Sequence, residues 1–338
     1  MIFTLASLLF VALLNFRTEK NSIYEAVDTF EDEELSQIIN QIFYVRNKSM
    51  LEGDVDVVKV LYDTNIKYGL WAYEHEVKKT KYLHQWSDKQ GIKFKDIQTK
   101  FAIRWVKESG NKVTANFIAS TEYTYTYIDE PEIINTFRIG TYHILDMAYR
   151  NEQWIIVKEW YTDPFADSLN LESIKSDEVK EYILSSKPQD LSNLSDKRKQ
   201  AVQYADRYCG AAADEEYGFS YNKEYRDYNS QGGDCANFAS QVLFESGAFK
   251  KTATWNSNKG GATKAWVNAQ AFKNYMLYSG RGSKIAHGSY NDVYKAAYKL
   301  LPGDFIAYEK KGRVVHISVV TGMDSKGYPL VNCHNTDR

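Results

Sequence analysis

Asp234 and Cys235 follow a Gly232-Gly233 pair and open a stretch with helical spacing, Phe238, Val242 and Leu243 marking one face. Asp234 is an N-cap type, so Cys235 falls in the first helical turn. N–H groups without intrahelical acceptors and the positive end of the helix dipole lie there. Both favour the thiolate, the nucleophilic form of cysteine. The glycines permit a tight turn and close substrate approach, and the Cys235 backbone N–H is a candidate oxyanion donor. The competing reading of Cys235 is a buried structural cysteine.

A nucleophilic thiol needs a base. Downstream, Phe305 to Tyr308 and Val314 to Val320 read as strands about a Lys310–Gly312 hairpin turn, and His316 stands in the second. His316 is the candidate base. Its orienting partner is sought in the following strand, "LVNCHNTDR". With a hairpin centred near Ser325, His316 lies opposite His334 or Asn335, and Asn332 shares the face of His334 by period-two alternation. His334 is the first choice as third residue, with Asn335 and Asn332 as alternatives. Cys333 points to the other face as core. Cys209, on the apolar stripe of the helix that begins near Asp196, is also core.

The blocks "GGDCANFASQ", "ATKAWVNAQAFKNYM", "LPGDFIAYEKKGRVVHISVVTG" and "VNCHNTDR" together resemble the putative amidase domain family of Gram-positive bacteria. That family is related to the NlpC-type and CHAP cell-wall cysteine hydrolases of papain-like fold. The resemblance covers about residues 196–338, with Ala236 and Ala239 standing where the family motif carries Thr and Val. It implies a helical lobe on a small antiparallel sheet, Cys235 as nucleophile, His316 as base and a polar residue near His334. It also implies a peptidoglycan amide as substrate. Family members continue beyond the point where this chain stops at Arg338, so a C-terminally truncated domain is expected.

The rest of the chain must position and deliver this site. Its 338 residues suggest two domains. Helical periodicity over Asp32 to Tyr62 and Leu70 to Trp86 gives way to period two in Ile97–Lys107, Lys112–Tyr127, Thr136–Tyr149 and Gln153–Tyr161. Helices followed by a meander predict an α+β domain over 32–163, and the order resembles the nuclear-transport-factor-like fold, a curved sheet around a helix. That domain is expected to be non-catalytic. The polar stretch 164–195 reads as a linker holding a short helix near Asp177 to Leu184. Residues 1–22 are apolar from Ile2 to Phe16 and read as a signal peptide or membrane anchor. The expected location is therefore extracellular or at the cell envelope, with membrane contact only through that segment.

A net charge of −2 gives no basic field for nucleic acid. Three cysteines make no disulfide framework. His75, His84 and His143 lack ligand spacing, so no metal or other cofactor is expected; His287 reads as a surface loop residue. The loop bracketed by Trp255 and Trp266 is read either as a substrate groove lined by the two indoles or as a loop packed by them. The sequence thus predicts a cysteine-dependent amide hydrolase. The alternatives are an acyltransferase or peptidase on another amide, or an inactive wall-binding protein.

Overall fold

The computed structural model describes residues 32–165, 176–258, 260–334 and 337. The apolar segment 1–22 and Asn335 lie outside the described residues. The architecture is α+β with antiparallel sheets.

In the N-terminal part, helices α1 (Asp32–Glu52) and α2 (Lys67–Gln90) precede the strands β1 (Ile92–Ser109), β2 (Lys112–Tyr127), β3 (Glu130–Arg150) and β4 (Gln153–Trp160). The four pair antiparallel in chain order. The helical periodicity over Asp32 to Tyr62 is broken at Gly53-Asp54, where Gly53 turns left-handed at φ 76°, and it resumes only as a short 3-10 turn over Val57–Leu61. Asn151 and Glu152 both take positive φ, 49° and 63°, which suits the twist of the β3–β4 hairpin. Val113, Ala115, Phe117 and Ala119 form the buried face of β2 that alternation predicts, and pack with Leu35 and Ile39 of α1. Register shifts near Phe94 and Ile103 are the irregularities that bend a long strand.

This apolar layer encloses a charged cluster. Arg46, 2% exposed, pairs with Glu159 and donates to the Tyr62 hydroxyl at 2.6 Å. His143 Nδ1 stands 2.8 Å from Glu159 Oε1, the ring being a core histidine, and Lys79 pairs with Asp163 at 2.9 Å. For Glu159, burial opposes the charge, but Arg46 and His143 outweigh it and hold the carboxyl down at about 2. Burial first of all depresses His143 below the usual imidazole value. A carboxylate with a lowered folded pKa stabilises above its unfolded value and loses that stabilisation as pH falls through its folded one. A histidine buried neutral takes up its proton on unfolding. Both signs agree. Unfolding midpoints in urea are expected to fall steadily from about pH 6 towards about pH 2, and Glu159→Gln is expected to flatten that fall. A slope that Glu159→Gln leaves unchanged would place the acid sensitivity elsewhere.

Helix α3 (Asp177–Ser185) falls within the stretch read as a linker. It docks rather than dangles: Val179 and Ile183 are buried with Leu83, Tyr123 and Tyr294. The C-terminal part then runs through α4 (Asp196–Tyr208), α5 (Cys235–Glu245), the two-residue strands β5 (Ser257–Asn258) and β6 (Gly261–Ala262), α6 (Lys264–Val267), α7 (Ala269–Tyr278) and α8 (Tyr290–Ala297). The sheet β7 (Phe305–Lys310), β8 (Arg313–Met323) and β9 (Pro329–Asn332) follows, antiparallel in that order. Lys311 and Gly312 take φ 52° and 75°, completing the expected hairpin.

The two parts interlock through polar contacts. Tyr125 and Tyr127 of β2 donate to Asp324 Oδ2 at 2.9 and 2.7 Å. Lys326 Nζ, its side chain 4% exposed, meets Glu130 at 2.6 Å and Asp129 at 2.8 Å. Gly140 of β3 lies against the backbone of Ala211, where an added Cβ would come 2.3 Å from the Ala211 carbonyl carbon. Backbone meets backbone there, so no rotamer relieves the clash. Gly140→Ala is expected to cost about 1–3 kcal/mol, read as a lowered urea midpoint, with faster proteolysis between the two parts. An unchanged midpoint would show that the seam yields freely.

Candidate active site

Helix α5 begins at Cys235 with Asp234 as its N-cap residue, as the sequence predicts, and Gly247 closes it at φ 68°. The cap acts differently from expectation. The Asp234 side chain makes no capping bond to its own helix. Its Oδ1 accepts from the backbone N–H of Tyr228 at 2.8 Å and from Asn237 Nδ2 at 2.9 Å. Its Oδ2 faces His334 Nδ1 at 2.6 Å. The carboxylate therefore ties the preceding loop and the last described segment to the first turn of α5. Asn237 extends the network, accepting from Trp266 Nε1 at 2.8 Å and donating to the Arg226 carbonyl at 3.0 Å.

The Cys235 side chain lies nearly buried, the residue 7% exposed, in the cluster that includes Val314, Ile317 and Val319 of β8. Helix α5 packs on that strand. His316 sits on β8 opposite Tyr308, the rings 5.5 Å apart. Its Nε2 is buried without a hydrogen-bond partner. Buried polar atoms are ordinarily paired, so an unpaired imidazole nitrogen marks a position open to a proton donor or acceptor. The other two cysteines are core residues. Cys209 is 3% exposed and Cys333 fully buried, and burial above all raises the Cys209 thiol well beyond its usual value.

His334 does not stand across from His316. The β8–β9 register pairs Val319 with Asn332 and Val320 with Val331. Continued, it would bring position 335, which lies outside the described residues, and not His334 to His316; β9 itself ends at Asn332. His334 is fully buried. Its ring stacks on Tyr221 at 3.5 Å and on Phe238 at 4.1 Å, and Nε2 lies 2.7 Å from the Tyr208 carbonyl. A carbonyl only accepts, so Nε2 carries a proton, and against an ionised Asp234 Nδ1 carries the other. Burial opposes the resulting imidazolium, but Asp234 by hydrogen bond and charge, then Asp337, then the Tyr208 carbonyl, together raise its pKa above the usual value. Both nitrogens are committed, and no hydrogen bond joins His334 to His316. Asn332 likewise accepts from Thr321 at 2.9 Å and donates to Asp206 at 3.0 Å.

Trp255 and Trp266 are correspondingly packed, not groove-lining. Both are fully buried, their rings 4.6 Å apart, and Trp255 Nε1 donates to Ser240 of α5 at 2.9 Å. The indoles reach hydrogen-bond partners inside the core, which removes the reason to keep them at an open surface. Sequence reasoning missed Tyr221, whose ring covers His334 and which lies in none of the motif blocks, and Asp337, which lies in the block "VNCHNTDR" but was given no role. His287 is exposed beside Glu309 at 3.2 Å, the surface residue expected.

A family described as a putative amidase domain matches residues 195–338. That match points to amide-bond hydrolysis by the C-terminal part. No curated protein matches the chain. Among solved structures, the intermembrane space region of the chloroplast protein ARC6 is similar at 11% identity and TM-score 0.29, covering 39% of this chain and 97% of its own. Rv3472 of Mycobacterium tuberculosis, described as function unknown, is similar at 9% identity and TM-score 0.27, covering 43% of this chain and 85% of its own. Likenesses of that size say nothing about what this chain does.

Proposed function

We propose that the C-terminal part, residues 196–338, is a cysteine-dependent amide hydrolase of papain-like arrangement acting on bacterial cell-wall peptidoglycan. The observation that carries the reading is Cys235 in the first turn of α5, a helix packed on the strand whose His316 holds an unpartnered ring nitrogen. In the reaction, the Cys235 thiolate adds to the carbonyl carbon, forming the S–C bond. N–H groups at the helix start hold the oxyanion. His316 gives the thiol's proton to the leaving nitrogen as the C–N bond breaks, and water then hydrolyses the thioester, returning the proton to the dyad. The substrate class comes from the resemblance of the motif blocks, and the apolar N-terminal segment supports delivery to the envelope. The N-terminal part is proposed to take no chemical step.

The test is incubation of the full chain with purified wall sacculi and mass analysis of what is released. New amine and carboxyl ends at a stem-peptide or sugar–peptide bond are expected. Transfer of the acyl group to an added amine in preference to water would instead make the domain an acyltransferase. Binding of sacculi with no release would make it a wall-binding protein.

A further inference from the structure

The N-terminal sheet reaches into the environment of Asp234. Tyr142 of β3 donates its hydroxyl to Asp337 Oδ2 at 2.7 Å, and Gly140 of the same strand donates its N–H to the Asp337 carbonyl at 2.8 Å. Asp337 is fully buried. Its carboxylate also accepts from the Ala211 N–H and the Tyr221 hydroxyl, each at 2.8 Å. The Tyr221 ring is the one stacked on His334, and His334 holds Asp234, the residue before Cys235. A continuous set of contacts thus runs from one part's sheet to the other part's helix start. The segment that carries His334 and Asp337 is pinned at both ends of that set. A spacer domain would need no such connection.

We propose that Tyr142 is a positioning residue of the Cys235 site: through Asp337, Tyr221 and His334, the N-terminal sheet fixes Asp234 and with it the first turn of α5. The inference rests on the reading of Cys235 as nucleophile. Burial is the main force raising the Asp337 carboxyl above its usual value, and the Tyr142 hydroxyl, after the His334 charge, opposes it. Without that hydroxyl Asp337 takes up a proton more readily, and His334 loses one of the two anions that keep it charged. The bond from His334 to Asp234, the residue before Cys235, then weakens, and the first turn of α5 is held less rigidly beneath the reacting thiol.

The experiment is alkylation of the full chain by iodoacetamide across pH, with the rate at each cysteine read by peptide mass. In the wild type, Cys235 is expected to react ahead of Cys209 and Cys333. In Tyr142→Phe, the Cys235 rate near neutral pH is expected to fall about threefold or more, with the midpoint of its pH profile moved up. Asp337→Asn, a second route to the same change, is expected to move it the same way. Asn135→Ala breaks a contact across the same seam, the pair made with Ser325 at 2.8 and 3.0 Å, and is expected to leave the profile unmoved. Profiles of Tyr142→Phe and Asp337→Asn that superimpose on wild type would overturn the inference while leaving the nucleophile reading intact. An equal shift in Asn135→Ala would reduce the effect to general loosening and overturn it too. A wild-type Cys235 no faster than the two core cysteines would sink the nucleophile reading and take this one with it.

Discussion

Cys235→Ala is expected to abolish release of wall fragments, lowering the rate by about a thousandfold or more while leaving the fold and sacculus binding in place. The side chain sits at the start of α5, and loss of one sulfur from a residue 7% exposed creates a small defect at the edge of the core. Activity and stability should therefore separate. His316→Gln is expected to cost nearly as much, and the double variant little more than either single one, because nucleophile and base act as a unit. Cys209→Ala and Cys333→Ala give the contrast. Those thiols are core atoms, so their loss should lower the unfolding midpoint with turnover per folded molecule unchanged. Substantial release by Cys235→Ala would end the cysteine mechanism, whatever becomes of the amide-hydrolase class.

Which parts of this site could be read in the sequence follows from how far each depends on local physics. The start of α5 was legible because Gly232-Gly233, an N-cap-type residue and a 3.6-residue apolar stripe are all local signals. The β7–β8 hairpin was legible for the same reason. The partner of His334 was not. A hairpin centred near Ser325 left His334 or Asn335 opposite His316, and the register that pairs Val319 with Asn332 removes His334 from that place. What ends β9 is a long-range competition: Asp234, Tyr208 and the rings of Tyr221 and Phe238 together offer His334 charge, hydrogen bonds and stacking that the sheet edge does not. Those groups are scattered from 208 to 238 in the chain, and no spacing announces them. The charged cluster around Arg46 was hidden in the same way. Arg46, Glu76 and Glu159 are far apart in the chain, and no spacing in the sequence announces that the folded sheet brings them together as ion pairs. The N-terminal part likewise read only as non-catalytic, because its contacts to Asp324, Lys326 and Asp337 are made by tyrosines and acids that no spacing links to them.

His334→Gln is expected to destabilise the chain by about 3–5 kcal/mol, because it leaves the Asp234 carboxylate buried without its cation. Asp234 is 1% exposed and His334 fully buried, so water cannot replace the lost partner. Glutamine can restore one hydrogen bond at most, and it cannot fill the flat slot between Tyr221 and Phe238. Asp234→Asn should also destabilise, by stranding the imidazolium. The double variant should lose less than the sum of the two, since the stranded charge is gone from both sides. The pH dependence supplies a sign that packing alone would not. A histidine whose folded pKa is raised contributes its full stabilisation below the unfolded value, about 6.5, and loses it as pH rises through the folded value. The gap between wild type and His334→Gln, measured by urea unfolding, should therefore be widest near about pH 6 and narrow under alkaline conditions. The acid branch belongs to other groups, Glu159 and His143, and should run in parallel in both proteins. A gap constant with pH, or additive losses in the double variant, would mean that His334 serves as a stacked ring and that its charge contributes nothing to holding Asp234.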